Sequence, residues 1–288
     1  MHDTASAARL LVAKDVVVEY PRKGFRATPF QVLHGVSLDI LPGETVGLVG
    51  ESGSGKTTLG RAILGLVQPA SGTITFDGQD ITALDRRERR KLSDSIQVVF
   101  QDPYTSLNPT MTVGDILSEP LLAKPELKGS ARARISELLE QVGLPSGAVD
   151  KYPREFSGGQ RQRVAIARAL ALSPRLIVCD EPVSALDLST QARVLDLFIE
   201  IQERTGVAYL FVSHDLSVVR HISHRVAVMY KGDIVEYGDG DQVTSHPTHP
   251  YTQKLLMSAP VADPRRQRQR RTERRLLLAG TGSEGQSS

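Results

Sequence analysis

The stretch that most constrains this chain is Gly50-Glu51-Ser52-Gly53-Ser54-Gly55-Lys56-Thr57, which follows directly on the apolar run Thr45-Val46-Gly47-Leu48-Val49. The spacing G-x-x-x-x-G-K-T sets glycines where successive backbone N–H groups must curl around an anion with no Cβ in the way. A helix starting at about Lys56 adds the positive end of its dipole to the same pocket. Lys56 then reaches the β- and γ-phosphates of a nucleoside triphosphate, and the Thr57 hydroxyl is placed to ligate Mg²⁺. Leu59, Ile63 and Leu66 recur at helical spacing downstream. The expected unit is therefore a short buried strand, a phosphate-binding turn and a helix with one apolar stripe. A glycine-rich turn with a stray lysine would lack that flanking pattern.

Three further strand ends carry polar groups suited to the same chemistry. Leu176-Ile177-Val178-Cys179 runs apolar into Asp180 and Glu181. Four apolar residues followed by Asp form the Mg²⁺-anchoring pattern of phosphate-loop enzymes. The adjacent Glu points elsewhere on the turn and can polarise a water for attack on the γ-phosphate. Ile96 to Phe100 is a strand broken by Gln101-Asp102-Pro103, which leaves Gln101 at its end as either a capping amide or a switch residue. Tyr209 to Val212 is a core strand ended by Ser213-His214-Asp215. His214 is either structural there or catalytic, on the side of the sheet where a nucleotide would lie.

Elsewhere, Leu10 to Tyr20 reads as a strand stopped by Pro21, and Val36 to Ile40 as an edge strand beyond a loop at Gly24 to Pro29. Tyr20 can stack on a purine or simply pack on its neighbours. Ser71 to Gly78 is a hairpin turning at Asp77-Gly78, and Arg86 to Lys91 is a solvated helix face. From about Val113 to Leu172 the pattern is helical with no strong strand. The last of those helices opens at Phe156-Ser157-Gly158-Gly159-Gln160, with Ser157 as N-cap and Val164, Ala167, Leu170 and Ala171 as its apolar stripe. This is either a plain capped helix start or a second anion site, whose phosphate need not belong to the same molecule. A helix from about Ser189 buries Val194, Leu197, Phe198 and Ile201, and Val226 to Tyr237 is a hairpin around Lys231-Gly232. His246 and His249 lack a third ligand and are flanked by prolines, which disfavours zinc.

Composition narrows the setting. The 288 residues carry a net charge of only +2. Beyond Val261 seven arginines face Asp263, Glu273 and Glu284, so the basic excess is a tail, which reads as disordered. A single cysteine, Cys179, excludes an internal disulfide and suits a reducing cytoplasm. Met1-His2-Asp3-Thr4 shows no signal pattern, and no apolar run approaches the ~20 residues needed to span a bilayer, so a soluble chain is expected.

Taken together these residues resemble the ATP-binding subunit of an ABC transporter, up to about Leu256, and most closely the oligopeptide/dipeptide/nickel importer group. Gly50 to Thr57 matches its Walker A motif and Leu176 to Glu181 its Walker B with the catalytic glutamate. Phe156 to Gln160 resembles the signature L-S-G-G-Q with Phe for Leu. Ser184-Ala185-Leu186-Asp187 matches the D-loop, Gln101 the Q-loop, His214 the switch histidine and Tyr20 the adenine-stacking aromatic. Gln101 to Pro109 and His249 to Leu256 look like that group's permease-facing and C-terminal segments. Some members carry a cysteine-rich iron–sulfur site, which this chain cannot build.

The resemblance implies a P-loop NTPase (RecA-like) α/β core at about 1–100 and 173–240, with an antiparallel β subdomain. It also implies an inserted α-helical subdomain at about 101–172, a family segment at 241–256 and an Arg-rich tail from 257 to 288. The nucleotide set would be Tyr20, Gly50, Glu51, Ser52, Gly53, Ser54, Gly55, Lys56, Thr57 and Thr58. Ser157, Gly158, Gly159, Gln160 and Asp187 would join it from the other domain of a head-to-tail dimer. Thr57, Gln101 and Asp180 would hold Mg²⁺, with Lys56, Gln101, Glu181 and His214 catalytic. ATP and Mg²⁺ are the implied cofactors. The implied partners are membrane permeases, a second ATPase and, indirectly, an extracytoplasmic solute-binding protein, with no nucleic acid. The setting would be the cytoplasmic face of the inner membrane. Peptide is the expected cargo, with nickel or another small solute behind it. A soluble ABC ATPase acting on ribosomes or DNA would carry tandem cassettes or long inserted arms. A small-molecule kinase would keep water away from the phosphate, which Glu181 does not do.

Overall fold

The computed structural model describes residues 9–22, 29–102 and 106–258. The N-terminal Met1 to Thr4, most of the expected loop at Gly24 to Pro29, Pro103-Tyr104-Thr105 and the arginine-rich stretch lie outside the described residues.

Two sheets carry the fold. Strands β1 (Leu11–Tyr20), β2 (Phe30–Ile40), β4 (Ser71–Phe76) and β5 (Gln79–Asp80) form an antiparallel sheet in the order β2-β1-β4-β5, with β2 at an edge. The second sheet takes β3 (Thr45–Val49), β6 (Ile96–Val99), β7 (Leu176–Asp180), β8 (Ala208–Ser213), β9 (Arg225–Tyr230) and β10 (Asp233–Asp239), in the order β10-β9-β3-β8-β7-β6. The five strands from β9 to β6 run parallel and β10 closes the edge antiparallel. Short apolar runs such as Leu-Ile-Val-Cys in β7 suit this sheet because both its faces are covered.

Alternation along those strands divides the core. Ile177 and Cys179 of β7, with Tyr209 and Phe211 of β8, face one layer of helices: α3 (Val113–Leu122), α4 (Ala131–Gln141), α5 (Gly158–Leu170) and α6 (Leu188–Thr205). Leu176, Val178, Ala208, Leu210 and Val212 face the other way, onto α1 (Lys56–Ile63) and the antiparallel sheet. Helix α2 (Arg86–Leu92) buries no whole residue. Arg89 nevertheless folds inward and donates to the Ile63 and Ile81 carbonyls, so the expected solvated face holds one structural arginine. Helices α7 (Leu216–Ile222), α8 (Gly240–Ser245) and α9 (Pro250–Ser258) pack beside β9 and β10 around Val226, Val228 and Val243. Among the described residues no helix is long and apolar enough to cross a membrane.

Two expectations shift. Leu66 does not extend the stripe of α1 and is 63% exposed. Gly65 takes φ +68 and ends the helix at Ile63, with Gly65 N–H bonded to Ala62 and Leu66 N–H to Arg61. Strand β2 begins at Phe30 rather than near Val36, because β1 pairs with it all the way from Leu11–Ile40 to Tyr20–Phe30.

Arg225 ties the two sheets together. Its guanidinium donates to both oxygens of buried Glu44, at 2.6 and 2.8 Å, and to Asp39 of β2, beneath the Tyr237 ring. Phe198 does the same for the helical side, meeting Tyr209 and Phe211 edge-on at 5.4 and 5.6 Å. Phe198→Ala should therefore cost about 3–5 kcal/mol in urea denaturation; a loss below about 1 kcal/mol would mean that this layer collapses to fill the space.

Candidate active site

The phosphate loop is shaped by close approach from behind. A Cβ on Gly50 would lie 2.1 Å from the Met229 carbonyl oxygen of β9. Gly55 takes φ +109, in the left-handed region that favours glycine. Helix α1 has no capping side chain and no acid in its first turn, so its N–H groups and dipole meet no internal anion. Lys56 is only 4% exposed, and its ammonium donates to the carbonyls of Gly50 at 2.8 Å and Glu51 at 2.9 Å. Burial pulls its pKa down, while the charges of Glu181 and Asp180 pull it back up. Ser54 Oγ is buried without a hydrogen-bond partner, an arrangement that costs about 1–3 kcal/mol until an acceptor or donor arrives. Open N–H groups, a buried ammonium and an orphaned hydroxyl fit a polyphosphate.

The carboxylates stand at the matching strand ends. In the parallel ladder Val49 lies opposite Ser213 and Asp180 opposite Val212, so the loop after β3 and the ends of β7 and β8 are level. Thr57 Oγ1 donates to Asp180 Oδ1 at 3.0 Å. Burial raises the Asp180 pKa, against the lowering effect of the Thr57 bond, and the neighbouring charge of Glu181 raises it further. A hydroxyl beside a carboxylate is the hard-oxygen pair that Mg²⁺ prefers.

Glu181 leaves the strand in the left-handed region, at φ +48, with its N–H bonded to the Val212 carbonyl at 3.0 Å. That backbone turn separates two adjacent carboxylates. Asp180 faces Thr57, whereas Glu181 Oε2 lies 3.0 Å from His214 Nδ1 and accepts a long bond, 3.4 Å, from Gln101 Nε2. A non-glycine residue held in this conformation is strained, as functional turns often are. Lys56, Thr57, Gln101, Asp180, Glu181 and His214, read from four separate stretches of sequence, thus meet at one edge of the sheet.

Other expected site residues do not join them. Ser157 caps α5 and closes a box with Gln160: Gln160 N–H donates to Ser157 Oγ at 3.3 Å, and Ser157 N–H to Gln160 Oε1 at 3.0 Å. Gly159 packs against Thr190, where a Cβ would come within 2.3 Å of its methyl, and Gly158 lies beside Leu186. The Asp187 carboxylate is turned to the start of α6, accepting from the Ser189 hydroxyl at 2.7 Å and from Ser189 and Thr190 N–H, and these bonds, the Ser189 hydroxyl foremost, hold its pKa far below the usual range. Tyr20 ends β1 opposite Phe30, and Thr58 is half-buried on α1. One contact was not foreseen: Glu51 N–H in the phosphate loop donates to the Tyr251 hydroxyl of α9, 2.9 Å away.

With this geometry established, similarity to known proteins adds a context. The chain matches the ABC transporter family over residues 33–184, and the family described as oligopeptide/dipeptide transporter, C-terminal region, over residues 235–284. It is 51% identical over 271 residues to a protein of Pectobacterium atrosepticum named Glutathione import ATP-binding protein GsiA, covering 92% of this chain and 44% of that one. A protein of the same name from Escherichia coli K12 is 51% identical over 267 residues, covering 91% of this chain and 43% of that one. The chain thus spans somewhat under half the length of these curated relatives. Among solved structures, a dimeric post-hydrolysis state of the ATP-binding cassette MJ0796 bound to ADP and Pi superposes with a TM-score of 0.70 at 32% identity. That match covers 80% of this chain and 98% of the other. The protein cbiO1 from Clostridium perfringens, part of the ABC transporter complex cbiONQ, gives 0.73 at 28% identity over 87% of this chain and 93% of the other. The fold is that of an ABC ATPase cassette, and the chain belongs to the ABC transporter family.

Proposed function

We propose that this chain is the ATP-hydrolysing subunit of an ABC importer for oligopeptides or dipeptides. The observation that carries the reading is the convergence of Lys56, Thr57, Asp180, Glu181 and His214 at the ends of β3, β7 and β8. The C-terminal match to the oligopeptide/dipeptide family and the glutathione-import names of the relatives support a peptide cargo.

In this reading the loop N–H groups and Lys56 hold the phosphates, and Ser54 Oγ gains the partner it lacks. Thr57, Asp180 and Gln101 hold Mg²⁺, which neutralises charge on the phosphates when bound. Glu181 accepts the proton of the attacking water, with His214 orienting its carboxylate from one side and Gln101 from the other. Tyr20 stacks on the base. Ser157 and Gln160, which cap their own helix start, and Gly158 and Gly159 between them serve the phosphates of a second cassette in a head-to-tail dimer, with Asp187 shaping that edge. ATP binds the closed dimer more tightly than the open one, and this difference drives permease switching. The core, at about 1–100 and 173–240, then carries the nucleotide, and the helical insertion at about 101–172 faces the permeases. The partners are two permease subunits, a second ATPase and, through the permeases, a solute-binding protein. The chain sits peripherally on the cytoplasmic face of the membrane.

Mg²⁺-dependent release of phosphate from ATP by the purified chain tests the chemistry. Glu181→Gln should lower it by about 10²–10⁴-fold while retaining ATP, and should give an ATP-dependent dimer on size exclusion. A variant that hydrolyses at the wild-type rate would remove Glu181 from the reaction. Asp180 gives a separate check. Its pKa is raised above the ordinary 3.8, so the folded chain holds that proton more tightly than the unfolded chain does. Ionising it therefore costs stability, which falls as pH climbs through the raised range. At neutral pH without ligand, Asp180→Asn should melt at or above the wild type. It should also lose most of the stabilisation Mg·ATP gives, about 2.7 kcal/mol at a hundredfold excess over Kd. Differential scanning calorimetry with and without Mg·ATP reads both effects.

A further inference from the structure

The mechanism above uses nothing beyond His214, yet the C-terminal helix touches the phosphate loop directly. The contact involves a single peptide unit. The Gly50 carbonyl accepts from Lys56 Nζ at 2.8 Å, and the N–H of the same peptide, that of Glu51, donates to Tyr251 Oη at 2.9 Å. A trans peptide is planar, with its C=O and N–H pointing in opposite directions. The unit between Gly50 and Glu51 is therefore gripped at both ends, by the lysine inside the loop and by the tyrosine outside it.

The outer grip is itself firmly placed. Tyr251 is 8% exposed, and its ring lies on Tyr230 with centroids 4.2 Å apart. It packs in the cluster formed by Val49, Leu216, Val226 and Val243. The turn into α9 is fastened by Glu236 of β10, which accepts from Thr248 N–H and hydroxyl and from His249 N–H. His249 Nδ1 then accepts the Tyr251 N–H at 3.2 Å. The β9–β10 hairpin holds the far end of the loop as well, through Gly232 N–H to the Ser54 carbonyl at 2.9 Å. Residues 229–251 thus form a rear wall for the phosphate loop, and Tyr251 supplies the hydrogen bond at its first peptide.

We propose that Tyr251 is a positioning residue for the phosphate loop: its hydroxyl fixes the Gly50–Glu51 peptide with the carbonyl turned to Lys56, and so presets the loop for a triphosphate. The proposal rests on the reading of this loop as the ATP site. Without the hydroxyl, the peptide keeps only the Lys56 grip, and part of the loop's ordering falls to nucleotide binding. That cost falls on affinity and leaves the chemistry at Glu181 untouched.

The test is isothermal titration of the full chain with ATP in EDTA, followed by steady-state hydrolysis with Mg²⁺. Tyr251→Phe keeps the ring on Tyr230 and removes only the oxygen. It should raise the Kd for ATP about three- to tenfold, the weight of one hydrogen bond, and raise KM in parallel. It should leave kcat within about twofold and the ligand-free melting temperature unchanged. Tyr230→Phe, which preserves the ring pair and does not alter the bond to the loop, should bind as the wild type does. Wild-type affinity in Tyr251→Phe would overturn the proposal and leave the reading of the site standing. Equal weakening in both variants, accompanied by a lower melting temperature, would assign the effect to packing and also overturn it. A wild-type chain that takes up no ATP would overturn the site and this inference together.

Discussion

The rest of the structure is arranged around a buried ammonium. Lys56 sits almost wholly out of water, and removing that charge from solvent is costly unless other groups surround it. Its own loop supplies two carbonyls, and the strand ends across the sheet supply the fields of Asp180 and Glu181. A loop of this shape must pass close to the neighbouring strand, which is why a Cβ at Gly50 has no room beside Met229. The glycines, the parallel sheet and the carboxylates thus answer one electrostatic problem, and the same solution leaves positive potential facing outward at the start of α1.

Register carries this arrangement across the molecule. Because side chains alternate along a strand, a one-residue slip of β7 against β8 would exchange the helical and antiparallel-sheet faces of the core. It would also exchange Asp180 with its neighbours at the rim. The residues that lock the register lie deep in the core, such as Cys179 opposite Phe211, with Phe198 packed edge-on against Phe211. Packing on the far side of the sheet therefore sets which carboxylate meets Thr57. The site's precision is a property of the core and is not local to the loops.

Much of this was legible in the sequence, because it is written in short-range spacing. The phosphate loop, the apolar run into Asp180 and Glu181, and the capped start at Ser157 each combine a pattern of a few residues with a local physical reason. Glu181 and His214 could be nominated singly, yet their 3.0 Å approach depends on the left-handed turn at Glu181, which nothing adjacent in sequence announces. Leu66 fits the helical period but lies past a glycine that ends the helix. Arg89 sits in a run of charges and differs from its neighbours only in reaching the carbonyls of Ile63 and Ile81, on other elements. Tyr251 stands two hundred positions from Glu51, and no periodicity spans that distance.

The left-handed backbone at Glu181 has a consequence for how such a chain can change over generations. A side-chain-bearing residue there carries about 1–2 kcal/mol of steric strain that a glycine would not. With Glu181 as the base, as proposed above, stability and turnover therefore pull this one position in opposite directions. A copy of the gene freed from the need to hydrolyse nucleotide would relieve that strain by exchanging this glutamate for glycine, and not for any residue that keeps a Cβ.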